Sequence, residues 1–74
     1  MTIDALLALI GEIIETDPAR IDPTMDREEI AGWDSLAHLR IVTAFEEAYG
    51  VRLSMEQIVE IRTVQQLSRM LEEV

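Results

Sequence analysis

The stretch GWDSLAH, residues 32–38, places the carboxylate of Asp34, the hydroxyl of Ser35 and the imidazole of His38 close together in sequence. These side-chain types form the triads of serine hydrolases, in which the imidazole takes the proton of the attacking hydroxyl. The spacing argues against that chemistry, because Asp34 would have to orient the far ring nitrogen of His38 while capping its own helix. No glycine-rich oxyanion loop follows the serine. A simpler interpretation makes Asp34 the N-cap, Ser35 the first helical residue and His38 a solvent-facing residue.

Amphipathic segments surround this stretch, with apolar residues at the three- and four-residue spacings of a helix that buries one face. The first runs from Ile3 to Ile14, with Thr2 as its predicted N-cap and Asp4 in the first turn, where a negative charge suits the helix dipole. The second begins at Ser35 and ends at Gly50, a residue type suited to a left-handed C-cap. Its predicted inward stripe is Leu36, Leu39, Val42, Phe45 and Tyr49.

Two further helix starts are marked by capping-box pairs, in which Ser or Thr is followed three residues later by Gln. Ser54 and Gln57 predict a short helix from Met55 to Glu60, and Thr63 and Gln66 predict a last helix from Val64 to Glu73. The predicted inward residues of these two helices are Ile58, Val59, Val64, Leu67, Met70 and Leu71. Residues 1–74 are therefore predicted to form one all-α domain, a bundle of three main helices plus one short helix.

A long loop separates the first two helices. It runs from Thr16 to Trp33 and contains Pro18 and Pro23. A connection of this length in a compact domain is often functional or is packed by its own apolar residues. The expected anchors are Ile21, Met25 and Ile30.

The composition excludes several classes of function. Fifteen Asp and Glu residues stand against six Arg and no Lys, for a formal net charge of -9. Such a surface repels nucleic acid and anionic lipid, so basic proteins are the natural partners. The chain has no cysteine to supply a disulfide or a thiolate metal site, and we predict neither a metal site nor a catalytic residue. With no basic leader and no apolar run near the roughly 20 residues of a membrane span, we expect a cytoplasmic protein. Self-repulsion favours a monomer.

The motif and the order of the elements together resemble a known family. The run GWDSLAHLR, in which Asp34, Ser35 and Leu36 open the second helix of a small acidic bundle, resembles the acyl carrier proteins and the related carrier domains of polyketide and nonribosomal peptide synthesis. The sequences FEEAYG at the end of the second helix and TVQQL at the start of the last also look like this family. The resemblance covers the whole chain and implies a carrier protein, not an enzyme.

The resemblance implies roles for individual residues. Ser35 would receive 4'-phosphopantetheine from coenzyme A through a separate phosphopantetheinyl transferase, and the thiol of this arm would hold acyl or aminoacyl intermediates as thioesters. Asp34 is the acid of the attachment motif and would help to present the serine or the metal-bound coenzyme A, although capping alone explains it. Leu36 would contact the transferase and the loading and downstream enzymes, or lie in the core. Glu46 and Glu47 would meet basic patches on those enzymes, or form a solvated face.

The sequence departs from the carriers of fatty acid synthesis, which generally show acidic residues after Asp-Ser-Leu. The residues here are neutral or basic, namely Ala37, His38 and Arg40. This indicates partners outside housekeeping fatty acid synthesis, with Arg40 among the contacts. Trp33 makes the motif more similar to free-standing carriers of specialised pathways. Arg27 stands where such carriers place an apolar loop residue, so Met25 or Ile30 is expected to fill that part of the core.

A second hypothesis is an unmodified acidic helical adaptor that keeps the carrier fold and binds a protein partner through the same helix. The two hypotheses differ at Ser35. An adaptor would tolerate Ser35→Ala, whereas a carrier would lose its function with little change in stability.

Overall fold

A computed structural model describes residues 3–72 as four α-helices joined by ordered loops. Helix α1 spans Ile3–Ile14, α2 spans Ser35–Tyr49, α3 spans Met55–Glu60 and α4 spans Val64–Glu72. The predicted all-α bundle of three main helices and one short helix is confirmed, with its long loop between α1 and α2. The predicted cap Thr2 and the end of the last helix at Glu73 lie outside the described residues.

Local side-chain chemistry accounts for the helix ends. The Asp34 side chain caps α2, and Gly50 ends it in the left-handed conformation at φ 63°. Both arms of the Ser54–Gln57 capping box are formed at the start of α3. At α4, Gln66 N–H donates to Thr63 Oγ1 at 3.2 Å and Thr63 N–H donates to Gln66 Oε1 at 2.9 Å. Each box satisfies amide groups that have no partner within the helix.

One hydrophobic core joins the helices, and α1 packs against both α2 and α4. Its fully buried side chains are Phe45, Leu6, Ile10, Ile41, Ile61, Leu67 and Val64. Burial of each such side chain contributes roughly 1.5–3 kcal/mol relative to exposure. Within residues 3–72, no helix combines the length and the apolarity that crossing a lipid bilayer requires.

The long loop contains two short 3-10 turns, Pro18–Arg20 and Arg27–Glu29. Ile21 and Ile30 are buried in the core and Met25 is half-buried against it, as the sequence analysis expected. The loop is tied to the junction of α3 and α4, because Arg27 N–H donates to the Arg62 carbonyl at 2.7 Å. The guanidinium of Arg62 holds the carboxylate of Asp26 through bonds of 2.9 and 2.8 Å. These contacts hold the loop against the bundle.

Three predicted inward residues are exposed. Leu36 is 59%, Leu39 55% and Val59 67% exposed, so their assignment to the core is wrong. The buried residues of α2 are Ala37, His38, Ile41, Val42 and Phe45. This face is rotated away from the line through Leu36 and Leu39. Both leucines therefore lie on the surface at the end of α2 where the motif begins.

Candidate functional site

Ser35 is exposed and is the first residue of α2. The chain reaches it through Gly32, whose φ of +90° favours glycine and whose backbone passes close to the Ile14 carbonyl: a Cβ at position 32 would lie 3.0 Å from that oxygen. Asp34 then adopts extended backbone angles, and its Oδ1 accepts the Ala37 N–H at 2.8 Å. This turn and cap direct the first turn of α2 toward solvent and hold the serine at its tip.

The start of α2 suits an anionic group. The amides of Ser35 and Leu36 are among the first in the helix and have no acceptor within it, whereas Asp34 satisfies the amide of Ala37. The positive end of the helix dipole lies at the same place, and it stabilises a phosphate bonded there. A phosphodiester on the Ser35 hydroxyl would lie beside these groups. The start of α2 would therefore stabilise a phosphate group carried by Ser35.

His38 is buried, with 7% of its surface exposed, so the prediction that it faces solvent is wrong. Trp33 Nε1–H donates to His38 Nδ1 at 3.1 Å, and His38 Nε2 lies 2.8 Å from the carbonyl oxygen of Ile58 on α3. Burial lowers the pKa of His38 below its ordinary value, with the hydrogen bond to Ile58 opposing this and the charges of Arg27 and Arg62 adding to it. Both ring nitrogens are engaged, so His38 cannot accept a proton from Ser35.

A cleft of about 520 Å³ opens beside Ser35, between the start of α2 and α3. Its apolar walls come from Trp33, Leu39, Met55, Ile58 and Val59, and its polar lining from Arg27, Glu28, Asp34, Ser35 and His38. Large apolar side chains lie exposed on α2 and α3 at this end: Leu36 (59%), Leu39 (55%), Met55 (75%) and Val59 (67%). Arg27, Glu28 and Met55 join the site without any signal in the sequence, because a cleft between distant segments leaves no local pattern.

The other candidate contact residues lie along α2. Leu36 and Arg40 are exposed and one helical turn apart, and Glu47 is exposed near the other end. Glu46 is half-buried, and its Oε2 accepts the Leu53 N–H at 2.9 Å. Glu46 therefore orders the loop after α2, a role that its position in the sequence did not indicate. Among residues 3–72, no three His, Asp or Glu side chains are grouped to hold a metal ion.

Comparisons with known proteins agree with this geometry. The sequence profile of the family described as "Phosphopantetheine attachment site" matches residues 4–71. The chain is 27% identical over 63 residues to an acyl carrier protein of Thermosynechococcus vestitus, covering 85% of this chain and 78% of that one. Its fold is similar to the solution NMR structure of the holo acyl carrier protein from Geobacter metallireducens, with a TM-score of 0.82 and 21% identity. That match covers 97% of this chain and 83% of the other.

Proposed function

This chain belongs to the phosphopantetheine attachment site family of acyl carrier proteins, and we propose that Ser35 is the residue to which its cofactor is attached. The protein is a carrier and not an enzyme, and 4'-phosphopantetheine is its covalent cofactor. The observation that carries the assignment is the position of Ser35, an exposed hydroxyl at the N-terminus of a 15-residue helix with a cleft beside it. Ser54, in contrast, uses its hydroxyl to cap the six-residue helix α3.

The attached arm supplies the reactive sulfur, since the chain has no cysteine of its own. Its thiol holds acyl or aminoacyl units as thioesters, and the carrier shuttles them between a loading enzyme and downstream enzymes. We place these enzymes in polyketide or nonribosomal peptide type pathways. Support comes from the charges on the first half of α2. Ala37 and His38 are buried, and Arg40 is the charged residue exposed there. The first carboxylate within this helix is that of Glu46.

Recognition by these enzymes and by the phosphopantetheinyl transferase is assigned to Leu36, Arg40, Glu46 and Glu47, with Asp34 and Leu36 completing the attachment motif. Leu36 and Arg40 are exposed near Ser35, and Glu47 gives the far end of α2 a negative charge. Basic docking patches suit a chain of net charge -9. Charge matching mainly raises association rates and is screened by salt. We further propose that residues 1–74 form a single monomeric carrier domain that works in the cytoplasm.

The direct test is intact-mass spectrometry after incubation with coenzyme A, magnesium and a broad-specificity phosphopantetheinyl transferase. The wild type is expected to gain the mass of one phosphopantetheine group, and Ser35→Ala is expected to gain none. Ser54→Ala is the matched control, because it removes another exposed serine hydroxyl at the start of a helix and must still be modified. Modification of Ser35→Ala would refute the site, and an unmodified, folded wild type with several transferases would refute the carrier function.

A further inference from the structure

Three separate segments of the chain meet at the ring of His38. Trp33 belongs to the loop that enters α2, His38 lies in the first half of α2, and Ile58 lies in α3. The indole N–H reaches one ring nitrogen at 3.1 Å, and the other ring nitrogen lies 2.8 Å from the Ile58 carbonyl oxygen. All three residues line the cleft beside Ser35. A single side chain therefore connects both sides of that cleft.

The partners determine where the proton lies on the ring. An indole N–H can only donate, so Nδ1 of His38 must be the acceptor. The ring proton is then on Nε2, which donates to the carbonyl oxygen of Ile58. If the ring gains a second proton, Nδ1 becomes a donor facing the donor of Trp33. The complete bridge therefore exists only with neutral His38.

Helix α3 depends on few other contacts. It has six residues, all within the described part of the chain, and none of them is fully buried. Met55 and Val59 are largely exposed, and Ile58 is half-buried against the core. An element with little buried apolar surface opens at low free-energy cost. The hydrogen bond from His38 Nε2–H is a direct polar connection between α3 and α2, and it persists on protonation because Nε2 carries its proton in both states.

We propose that His38 is a positioning residue whose neutral ring holds the Trp33 indole against the attachment end of α2, and that protonation of Nδ1 breaks this bond, frees the indole and changes the shape of the cleft beside Ser35, while Nε2–H stays bonded to the Ile58 carbonyl. This latch is a property of the fold and does not depend on whether Ser35 carries an arm. It goes beyond attachment, because it assigns the protein a pH-dependent change in the shape of the surface next to Ser35.

Burial and the charged groups around His38 together set the pH range of the change. Arg27 and Arg62 approach from the second 3-10 turn and from the α3–α4 junction, and both charges oppose protonation. Glu28 and Asp34 line the same cleft, and the carboxylates of α3, Glu56 and Glu60, are exposed. Burial is the largest effect and lowers the pKa of His38.

The sign of the stability change follows from this direction. Between the lowered pKa of the folded state and the ordinary value of about 6.5, the unfolded state binds more protons than the folded state. The stabilisation from neutral His38 is therefore fully present above about pH 6.5. It is lost as the pH falls toward the pKa of the folded state.

The chain suits a direct test, since Trp33 is its only tryptophan and His38 its only histidine. Fluorescence and histidine NMR of the intact protein are recorded between about pH 3.5 and 7.5, a range that extends well below the ordinary histidine pKa. Above the pH of the transition, the NMR chemical shifts of the ring nitrogens should show the Nε2–H tautomer. Below it, the emission maximum of Trp33 should move to longer wavelength, with the same midpoint pH as the titration of His38. The far-UV circular dichroism signal should show that the helices are retained. The Nδ1–H tautomer, or titration of His38 without a change at Trp33, would overturn the proposal.

Two variants separate the latch from a general loss of packing. In His38→Gln, the amide can accept from Trp33 and donate to Ile58 but does not titrate in this range, so Trp33 emission should stay constant. A transition that persists in this variant would contradict the latch. Trp33→Phe keeps an aromatic ring but removes the donor, so the histidine midpoint should rise toward the ordinary value. A midpoint that stays unchanged in Trp33→Phe would contradict the bridge even if His38→Gln failed to fold.

Hydrogen exchange distinguishes the two hydrogen bonds of the ring. Below the His38 midpoint, the protection factor of the Trp33 indole N–H should fall about tenfold, the loss expected for a hydrogen bond worth about 1.4 kcal/mol. The amides of α1 are the internal control, because they lie away from the bridge, and the amides of α3 should lose no more protection than those of α1. An equal loss of protection at the indole and in α1 would indicate general acid destabilisation and would refute a local latch.

Discussion

Replacement of Asp34 tests whether this residue acts at the site as a helix cap. Its Oδ1 accepts the Ala37 N–H at 2.8 Å, and Asp34→Ala leaves that amide without its side-chain acceptor. Loss of an Asp N-cap costs about 1 kcal/mol, within a range of roughly 0.5–2. For a domain of this size, about 1 kcal/mol lowers Tm by roughly 4–8 °C. Asp34→Asn keeps an amide oxygen as acceptor and loses only the charge, so it should cost at most about 0.5 kcal/mol.

The free energy of unfolding is measured by urea titration, with circular dichroism and Trp33 fluorescence as independent probes. Glu47→Gln is the matched control, since it removes one exposed negative charge from α2 without removing a cap. The expected order of stability is wild type, Asp34→Asn, Asp34→Ala, with Glu47→Gln close to wild type. If Asp34→Asn were as unstable as Asp34→Ala, the charge and not the cap would be responsible, and the reasoning would be refuted.

The same pair of variants separates the cap from a direct role in loading. If Asp34 acts only as a cap, Asp34→Asn should accept phosphopantetheine at the wild-type rate under conditions where both proteins are fully folded. Slow loading of a stable Asp34→Asn variant would assign the carboxylate a contact with the transferase or its metal-bound coenzyme A. Loading rates are followed by intact mass at several enzyme concentrations, so that binding and turnover are resolved.

Two further predictions concern the supporting fold. Gly11→Ala should destabilise the protein by about 1–2 kcal/mol, although Ala is favoured over Gly in a helix by about 1 kcal/mol, because the new Cβ would lie 2.6 Å from the Thr16 carbonyl oxygen. Urea unfolding checks the sign, and a stabilised variant would contradict the packing. The hydrogen bonds from Arg62 lower the pKa of Asp26, so Asp26→Asn should destabilise the protein at pH 7. That difference from wild type should shrink as the pH falls below about 4 toward the lowered pKa of the folded state, where the wild-type carboxyl becomes protonated; a difference that does not change with pH over this range would argue against the ion pair.

The helices and their ends could be predicted because their signals are local. Asp34, Ser54 and Thr63 each satisfy amide groups within three residues along the chain, and Gly50 adopts the conformation that glycine permits most readily. The position of Ser35 could be predicted for the same reason, because the cap at Asp34 makes Ser35 the first residue of α2. None of these features needs knowledge of what packs against the helix.

The buried face of α2 was harder to predict than the helix ends. In the first turns of this helix, large apolar residues are exposed and small or polar residues are buried. Leu36 and Leu39 continue the hydrophobic stripe in the sequence, yet Ala37 and His38 are the buried pair. Extending the phase of Ile41 and Val42 back by one turn leads to His38, and this signal was present in the sequence. The hydrogen-bond partners of the ring were not, because Ile58 is 20 residues away.

The two faces at the start of α2 have different physical tasks. The inner face is satisfied within the chain, since His38 has partners for both ring nitrogens and Ala37 packs in the core. The outer face leaves Leu36 and Leu39 in water, and Met55 and Val59 are exposed across the cleft. Clustered exposed apolar surface marks an interaction site in a soluble protein. An enzyme that reaches the Ser35 hydroxyl must approach this surface. The exposed apolar residues, which do not fit a simple amphipathic helix, are therefore the ones best placed to be covered when an enzyme binds.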